Sequence, residues 1–219
     1  QASSLRAWYK LDQSANWEAD AASTWQIPDA VSSYPQSFDF DSTINEYIRA
    51  PKQSFFDTGN KSVSVWVKPQ TSHVGYVYDC RGSGVGAGFA LIGNNSAGFF
   101  RLYVQMNTLT KRIFTGYQPS LNIEYDKWTN VAWTFDESAE TLKAYINGVF
   151  KYTLTTTDTG TFNAANDLEI GRAYNTTGND FDGNISNLMI WNEKLTDGDV
   201  ALNNPATGQI AELYNNGVP

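Results

Sequence analysis

Apolar and polar residues alternate with a period of two in several short stretches of the chain. In residues 61–68, Val63, Val65 and Val67 fall on one face, and Trp66 falls on the other. The same alternation recurs in residues 99–105, 130–136 and 141–147. A period of two is typical of a β-strand that buries one face. The pattern therefore predicts a strand in each of these stretches.

A turn signal and a few further apolar runs complete the predicted elements. Asn147 and Gly148 both tolerate positive φ, so this pair predicts a tight hairpin that leads into a strand at residues 149–155. Two shorter apolar runs predict strands at residues 168–170 and 185–191. A helix is predicted only at residues 196–203, where Thr196 would cap its start. Together these elements predict an all-β fold, a two-sheet antiparallel β-sandwich with one short C-terminal helix.

Length and composition fit one such domain. No Pro-rich or Gly/Ser-rich linker divides the 219 residues, so a single domain over residues 1–219 is expected. Aromatic residues make up 14% of the chain, which favours pleated, half-buried surfaces. No apolar stretch reaches the roughly 20 residues that span a bilayer, so we expect no membrane insertion.

The charge of the chain argues against nucleic acid as a partner. The formal net charge is −8, and the only basic cluster is the pair Lys111-Arg112. Phosphate neutralisation requires clustered Lys and Arg. An acidic surface suits a neutral or cation-bridged ligand better.

The single cysteine and single histidine limit the available chemistry. With only Cys80 and His73, neither a disulfide framework nor a zinc cluster of Cys and His is possible. A Cys–His dyad lacks an evident third partner. We expect Cys80 to be a buried small residue.

The acidic residues do not form a recognisable catalytic pattern. A retaining glycosidase needs two carboxyls about 5–5.5 Å apart, which a strand supplies from residues on one face. Asp39 and Asp41 have the spacing i, i+2, but they precede a turn-like S-T-I-N and are interpreted as turn residues. No G-x-S-x-G elbow surrounds a serine, and no calcium loop of the D-x-D-x-D-G type occurs. The protein is therefore predicted not to be an enzyme.

Aromatic residues opposite the apolar stripes are the better candidate site. Trp66, Tyr103 and Tyr145 take these positions on three predicted strands, where rigid rings could stack on sugars or on a protein partner. Arg101 and Lys143 share the same faces and could donate hydrogen bonds. Residues in neighbouring loops could form the rim, namely Tyr76, Tyr78, Arg81, Tyr117 and His73. The alternative is ordinary cross-strand packing beneath a covering loop.

Several segments resemble one known family in the same order along the chain. The segment W-T-N-V-A-W-T-F-D…L-K-A-Y-I-N-G, residues 128–148, resembles the core of laminin-G-like jelly-roll domains in the concanavalin A-like lectin/glucanase superfamily. The segment F-D-G-N-I-S-N-L-M-I-W-N-E-K-L, which begins at Phe181, is similar to the ending of the same domains. Matching segments also occur at residues 7–12, 37–48, 63–69 and 168–172. The resemblance covers nearly the whole chain.

The resemblance implies two curved antiparallel sheets that act as a binding or adhesion module. Many such domains bind calcium through an aspartate of the last strand and an early acidic loop. Ser186 occupies the last-strand position here, which leaves Asp20 and Asp182 as candidate calcium ligands for a structural ion.

These observations predict a non-catalytic module that binds carbohydrate, such as a cell-surface glycan, at an extracellular or virion surface. Two alternatives stay open. One is a viral (phage) structural or decoration protein that contacts other subunits of an assembly. The other is a glycan hydrolase or lyase that uses non-standard acids.

Overall fold

The structure, a computed structural model, describes residues 5–9, 37–57, 59–70, 75–81, 87–96, 98–107, 112–157, 166–176, 178–198 and 201–214. The strands are β1 (Leu5–Tyr9), β2 (Phe38–Phe40), β3 (Ile48–Ala50), β4 (Lys61–Pro69), β5 (Gly75–Asp79), β6 (Gly88–Ser96), β7 (Phe99–Asn107), β8 (Arg112–Phe114), β9 (Asn122–Glu124), β10 (Thr129–Asp136), β11 (Thr141–Ile146), β12 (Val149–Thr155), β13 (Leu168–Ile170) and β14 (Gly183–Trp191). The helices are α1 (Gln209–Leu213) and two 3-10 turns, Ser54–Asp57 and Pro119–Leu121.

The strands form two antiparallel sheets. Sheet A has the order β1-β14-β4-β10-β11-β12, with β2 also paired to β14. Sheet B has the order β3-β13-β5-β6-β7-β8, with β9 also paired to β7. A main core cluster contains buried residues from both sheets, so their inner faces pack on each other. The predicted two-sheet antiparallel β-sandwich is confirmed.

The hairpin between β11 and β12 forms where the sequence predicts it. Asn147 and Gly148 adopt φ values of 51° and 72°, and Ile146 pairs directly with Val149. Both turn residues have positive φ, as a type I′ turn requires.

The inner faces carry the apolar residues that the alternation assigns to them. Val63, Val65 and Val67 are buried in the main core, as are Val131 and Phe135 of β10. The core also holds Cys80, whose predicted burial is confirmed. The strand pattern in the sequence therefore locates the inner face of both sheets.

Strand β14 departs from the alternation that its sequence predicts. The simple pattern puts Ile185 on the face opposite Leu188 and Ile190, but all three lie in the main core. Asn187 has a φ of 47°, and the register shifts between Ser186 and Met189. This β-bulge adds one residue and reverses the faces that follow. A strict alternation of faces therefore does not describe this strand.

The C-terminal helix lies further along the chain than predicted. Residues 196–198 and 201–203 are not helical, and Gly198 has a φ of 70°. Thr196 does not begin a helix as predicted. The N-cap of α1 is Gly208, and the Thr196 hydroxyl contacts this helix from across a loop, where it accepts a hydrogen bond from the backbone N–H of Gln209 at 3.2 Å. The one short helix was predicted correctly and its position wrongly.

Within the described residues, no helix has both the length and the apolar composition needed to cross a membrane.

Candidate binding face on sheet B

The outer face of sheet A is covered by the chain itself. A second apolar cluster joins residues of this sheet to the C-terminal segment, residues 192–198 and 201–214. Tyr145, Phe150 and Trp191 of the sheet lie in this cluster together with Leu195 and Ile210 of the segment. The covering segment turns what would be an exposed face into a second, smaller core.

This covering corrects the predicted exposure of two site residues. Trp66 is 2% exposed and its ring stacks on that of Tyr214, with centroids 5.9 Å apart. Tyr145 is fully buried. The prediction that these rings are open to a ligand is wrong, because the C-terminal segment packs on them.

Lys143 and Tyr145 hold the covering segment through one carboxylate. The Tyr145 hydroxyl donates to Oδ2 of Asp197 at 2.6 Å, and Nζ of Lys143 lies 2.7 Å from the same oxygen. Burial raises the pKa of Asp197, but the hydrogen bonds from Lys143 and Tyr145 outweigh it and hold the pKa below its usual value. Lys143 is thus engaged in an ion pair on sheet A.

Tyr78 is also a core residue rather than part of a rim. Its side chain is fully buried, and its hydroxyl oxygen accepts a hydrogen bond from Nε1 of Trp133 at 2.7 Å. Burial raises the pKa of this phenol well above its ordinary value. The predicted rim position of Tyr78 is wrong because a bulge in β5, between Tyr76 and Tyr78, turns the two side chains to opposite faces.

The outer face of sheet B presents a different surface. Directly paired residues form one row across six strands, from β3 to β8: Arg49, Glu169, Asp79, Ala90, Gln105 and Phe114. Side chains of paired residues point to the same side of a sheet. The row therefore runs from charged groups at one edge to an aromatic ring at the other.

The β3 edge of this face is a closed ion-pair network. Glu169 is buried and pairs with both Arg49 and Arg172, the latter with Nε 2.6 Å from Oε2. The guanidinium carbon of Arg172 lies 3.3 Å from the centroid of the Tyr47 ring. Burial raises the pKa of Glu169, but the hydrogen bonds from Arg172 and Arg49 lower it overall. These charges satisfy one another.

Two of the predicted rim residues meet in the middle of the face. Arg81 forms a two-pronged ion pair with Asp79, with distances of 2.8 and 2.9 Å, and its guanidinium carbon lies 5.4 Å from the centroid of the Tyr76 ring. Tyr76 also packs with Ile92 and Tyr103.

A buried carboxylate beside Tyr76 has an unused oxygen. Asp180 forms a parallel bridge with Tyr76, so both side chains lie on the outer side. Asp180 is 3% exposed, and its Oδ1 has no hydrogen-bond partner among the described residues. This oxygen is a hydrogen-bond acceptor that a ligand hydroxyl could use.

The opposite edge of the face is aromatic and open. Phe99, Phe114 and Tyr117 are 43%, 42% and 40% exposed. The Tyr103 ring packs edge-on against Tyr117, with centroids 4.8 Å apart, and also against Phe114 at 6.4 Å. Arg101 lies among them, with its guanidinium carbon 4.8 Å from the centroid of the Tyr117 ring. We call Phe99, Arg101, Tyr103, Phe114 and Tyr117 the aromatic edge.

The sequence thus predicted part of this surface. The predicted residues Arg101, Tyr103 and Tyr117 lie together, and Tyr76 and Arg81 lie on the same face. Their role in binding stays a prediction. The sequence did not indicate Phe99, Phe114, Asn122 and Asp180. Phe99 has the same parity in β7 as Arg101 and Tyr103, and this signal could have found it. His73 lies outside the described residues.

The structure does not bring the predicted calcium ligands into a recognisable site. Asp20 lies outside the described residues, and among the described ones no three or more His, Cys, Asp or Glu side chains cluster around Asp182 or elsewhere. Calcium also takes backbone and amide oxygens as ligands, which such a cluster does not count. Calcium binding stays a prediction. Asp41 has the expected turn role, since its Oδ1 accepts from the backbone N–H of Thr43 at 2.7 Å.

The fold and this exposed face define a lectin-like β-sandwich. A family model described as the concanavalin A-like lectin/glucanases superfamily, of laminin-G type, matches residues 41–201. The chain belongs to this superfamily. A search of curated protein sequences finds no significant match.

Solved structures share the fold at low sequence identity. A heptameric SAP-like pentraxin from Limulus polyphemus has a TM-score of 0.60 at 20% identity, over 80% of this chain and 78% of that one. The CBM40 of the Ruminococcus gnavus IT-sialidase, bound to alpha2,3 sialyllactose, has a TM-score of 0.53 at 12% identity, over 74% and 91%. The binding domain of botulinum neurotoxin serotype D has a TM-score of 0.64 at 17% identity, over 97% and 52%, so this chain spans about half of that domain.

Proposed function

We propose that the protein is a non-catalytic carbohydrate-binding module that acts at an extracellular surface, with the outer face of sheet B as its binding face. One observation carries the proposal. The apolar outer residues of sheet A are covered by residues 192–198 and 201–214, whereas the β7–β8 edge of sheet B leaves three aromatic rings exposed around an arginine. Exposed aromatic rings that cluster at one place mark a binding surface more strongly than rings scattered singly.

The aromatic edge offers the two kinds of contact that a saccharide needs. The faces of Phe114 and Tyr117 can pack against the apolar C–H face of a sugar ring at low entropic cost. Hydroxyl groups of the same sugar can bond to polar groups nearby, such as the Tyr117 hydroxyl and the Arg101 guanidinium. The sialyllactose bound by the Ruminococcus gnavus module adds support by fold analogy.

The pairing of the buried acids supports a binding role rather than a hydrolytic one. A glycosidase needs one carboxyl that carries a proton and one that is ionised. On this face Glu169 pairs with Arg49 and Arg172, which lowers its pKa and favours its ionised form. Glu169 is therefore not suited to donate a proton to a leaving group.

Replacing Tyr117 by Ala tests the binding face. We expect the variant to lose roughly threefold to tenfold in glycan affinity, because a stacked ring contributes about 0.5–1.5 kcal/mol beyond its area. Its unfolding free energy should change by less than about 1 kcal/mol, because surface substitutions have small effects. A panel of neutral and acidic oligosaccharides, followed by calorimetric titration of those that bind, supplies the measurement.

The matched control is Leu202→Ala, which trims a side chain that is 57% exposed and lies in the segment covering sheet A. It should leave affinity unchanged. Equal glycan affinities for Tyr117→Ala and the parent would show that the binding site lies elsewhere. Absence of binding across the panel would overturn the proposed function. Cleavage of any glycan would favour the hydrolase alternative.

A further inference from the structure

We propose that Arg101, together with Asn94 and Asn122, forms a subsite for an anionic substituent of the saccharide, a carboxylate or a sulfate. This inference rests on the proposed function and narrows the ligand class to acidic glycans.

The three side chains form a row across neighbouring strands. Arg101 of β7 pairs directly with Asn94 of β6 and with Asn122 of β9. All three therefore point to the outer side, next to Tyr103 on the same strand. The row borders the exposed ring of Tyr117, which packs against the guanidinium. A ligand that contacts the aromatic edge reaches this row without any rearrangement of the sheet.

Arg101 differs from the other arginines in its charge environment. Arg49, Arg81 and Arg172 each pair with a carboxylate. Among the side chains that the structure describes, Arg101 is the arginine without such a partner. In a chain of net charge −8 with 23 acidic residues, this guanidinium is available to an anion that a ligand brings.

The hydrogen-bonding groups of this row are also unused. Nε of Arg101 and Oδ1 of Asn122 are both buried and have no hydrogen-bond partner among the described residues. Buried polar atoms are almost always satisfied, and an exception calls for an explanation such as a ligand. A planar guanidinium binds carboxylate or sulfate oxygens through two parallel N–H donors.

The Tyr117 ring restricts the orientation of the guanidinium that binds the anion. Contact with the ring restricts the plane of the guanidinium, and a cation over an aromatic face is stabilised by about 0.5–1 kcal/mol at exposed sites. The restricted plane lowers the entropy lost when a two-pronged contact forms. Arg101 is thereby preorganised for an oxyanion rather than for a single hydroxyl.

The test compares the affinities of matched saccharides for the full 219-residue protein. Galacturonate oligosaccharides, their carboxyl-reduced counterparts and sulfated galactan oligosaccharides are titrated by calorimetry. We expect the acidic ligands to bind at least about tenfold more tightly than the reduced ones, since hydrogen bonds to charged groups are about twice as strong as neutral ones. Arg101→Gln should abolish that preference, so that the acidic and the reduced ligands bind this variant with affinities within about twofold of each other. Lys151→Gln, on β12 of sheet A, removes the same charge as a control.

A second variant blocks the subsite without removing the arginine. Asn122→Asp is nearly isosteric and places a carboxylate directly opposite Arg101. It should keep or raise the melting temperature, because it satisfies the guanidinium, and should lose binding of the acidic ligands. Gln53→Glu, in an exposed loop, adds the same charge elsewhere and should change neither property.

The outcomes separate this inference from the proposed function. A preference for the carboxylate or for the sulfate that is lost in both Arg101→Gln and Asn122→Asp supports the subsite and identifies which anion it takes. Equal binding of acidic and reduced ligands, or a preference that survives both variants, overturns the subsite while the carbohydrate-binding proposal stands. Absence of binding by all three ligand types overturns the subsite as well, and the wider oligosaccharide panel then decides the carbohydrate-binding proposal.

Discussion

At the scale of single residues, burial rather than residue type decided which aromatic side chains could bind. Trp66, Tyr103 and Tyr145 have the same place in the sequence pattern, opposite an apolar stripe. Only Tyr103 lies on a face with exposed rings, because residues 192–198 and 201–214 cover the other two. A sequence pattern of period two separates the two faces of a strand, but it does not report what packs on the outer one.

Replacing Trp66 by Ala should therefore destabilise the fold. We expect a loss of about 3–5 kcal/mol in the free energy of unfolding, the range for a buried Trp reduced to Ala. Urea denaturation gives the value, and glycan affinity of the folded variant should match the parent. A loss below about 1 kcal/mol would show that Trp66 is accessible.

The buried ammonium of Lys61 should make stability depend on pH. Its Nζ donates to the backbone carbonyl of Phe55 at 2.8 Å, and burial lowers its pKa to about 8. The ordinary pKa is about 10.4, so the charged form costs the fold up to about 3 kcal/mol below pH 8. This cost disappears as the pH rises from 8 toward 10.4, because the unfolded chain then binds more protons than the folded one.

Comparison with Lys61→Met isolates this effect. Relative to the parent, Lys61→Met should be most stable near pH 7. This difference in the free energy of unfolding should fall by up to about 3 kcal/mol by pH 10. Subtraction removes the contributions of titrating groups that do not interact with Lys61. A difference that stays constant across this range would contradict the buried charge.

At the scale of elements, regular strands were predictable and local exceptions were not. The strand predicted at residues 168–170 matches β13, and the Asn147-Gly148 hairpin forms as expected. The bulge at Asn187 was not predicted. A bulge arises from a local change of φ and does not alter which residues are apolar, so the hydrophobic pattern does not reveal it. The helix was misplaced because Thr196 contacts α1 across a loop, through a hydrogen bond between residues distant in sequence.

The C-terminal segment should depend on Asp197 for its attachment. Asp197→Asn removes the charge that Lys143 and Tyr145 contact, and we expect a loss of about 1–3 kcal/mol at pH 7. The pKa of Asp197 is lowered in the fold, so its contribution is present above the unfolded value of about 3.9 and is lost as the pH falls through the lower folded value.

Unfolding curves at pH 7 and pH 3 test this linkage. The gap between Asp197→Asn and the parent should shrink at acid pH. Asp39→Asn, an exposed position on the same sheet, should show no gap at either pH. A gap of equal size at both values would mean that the ion pair does not hold the segment.

At the scale of the whole molecule, the two outer faces have separate tasks. Sheet A carries the covering segment, and sheet B carries the proposed binding face, with the main core between them. Stacked sheets lie about 10 Å apart, a separation at which substitutions usually act independently. The fold class was predictable from the sequence because many segments contribute to it. The site was predictable only in part, because it depends on contacts between loops and strand edges.

Independence of the faces predicts additive behaviour. Asp197→Asn should lower stability without changing glycan affinity, and Tyr117→Ala should do the reverse. The double variant should show both single effects, additive within about 0.5 kcal/mol in stability and in binding free energy. Calorimetric titration and urea unfolding of the four proteins provide the comparison, and a larger deviation would reveal coupling through the core.

The row of paired residues from Arg49 to Phe114 gives sheet B a direction across its strands. Its residues change from ionic at β3, through the small Ala90 at the centre, to aromatic at β8. Glu169, Asp79, Ala90 and Gln105 in the middle of the row are buried, so a ligand can reach only its two ends, Arg49 and Phe114. An oligosaccharide bound at the β8 end would therefore not continue along the row, and lengthening it beyond the sugars that contact the aromatic edge would add little affinity.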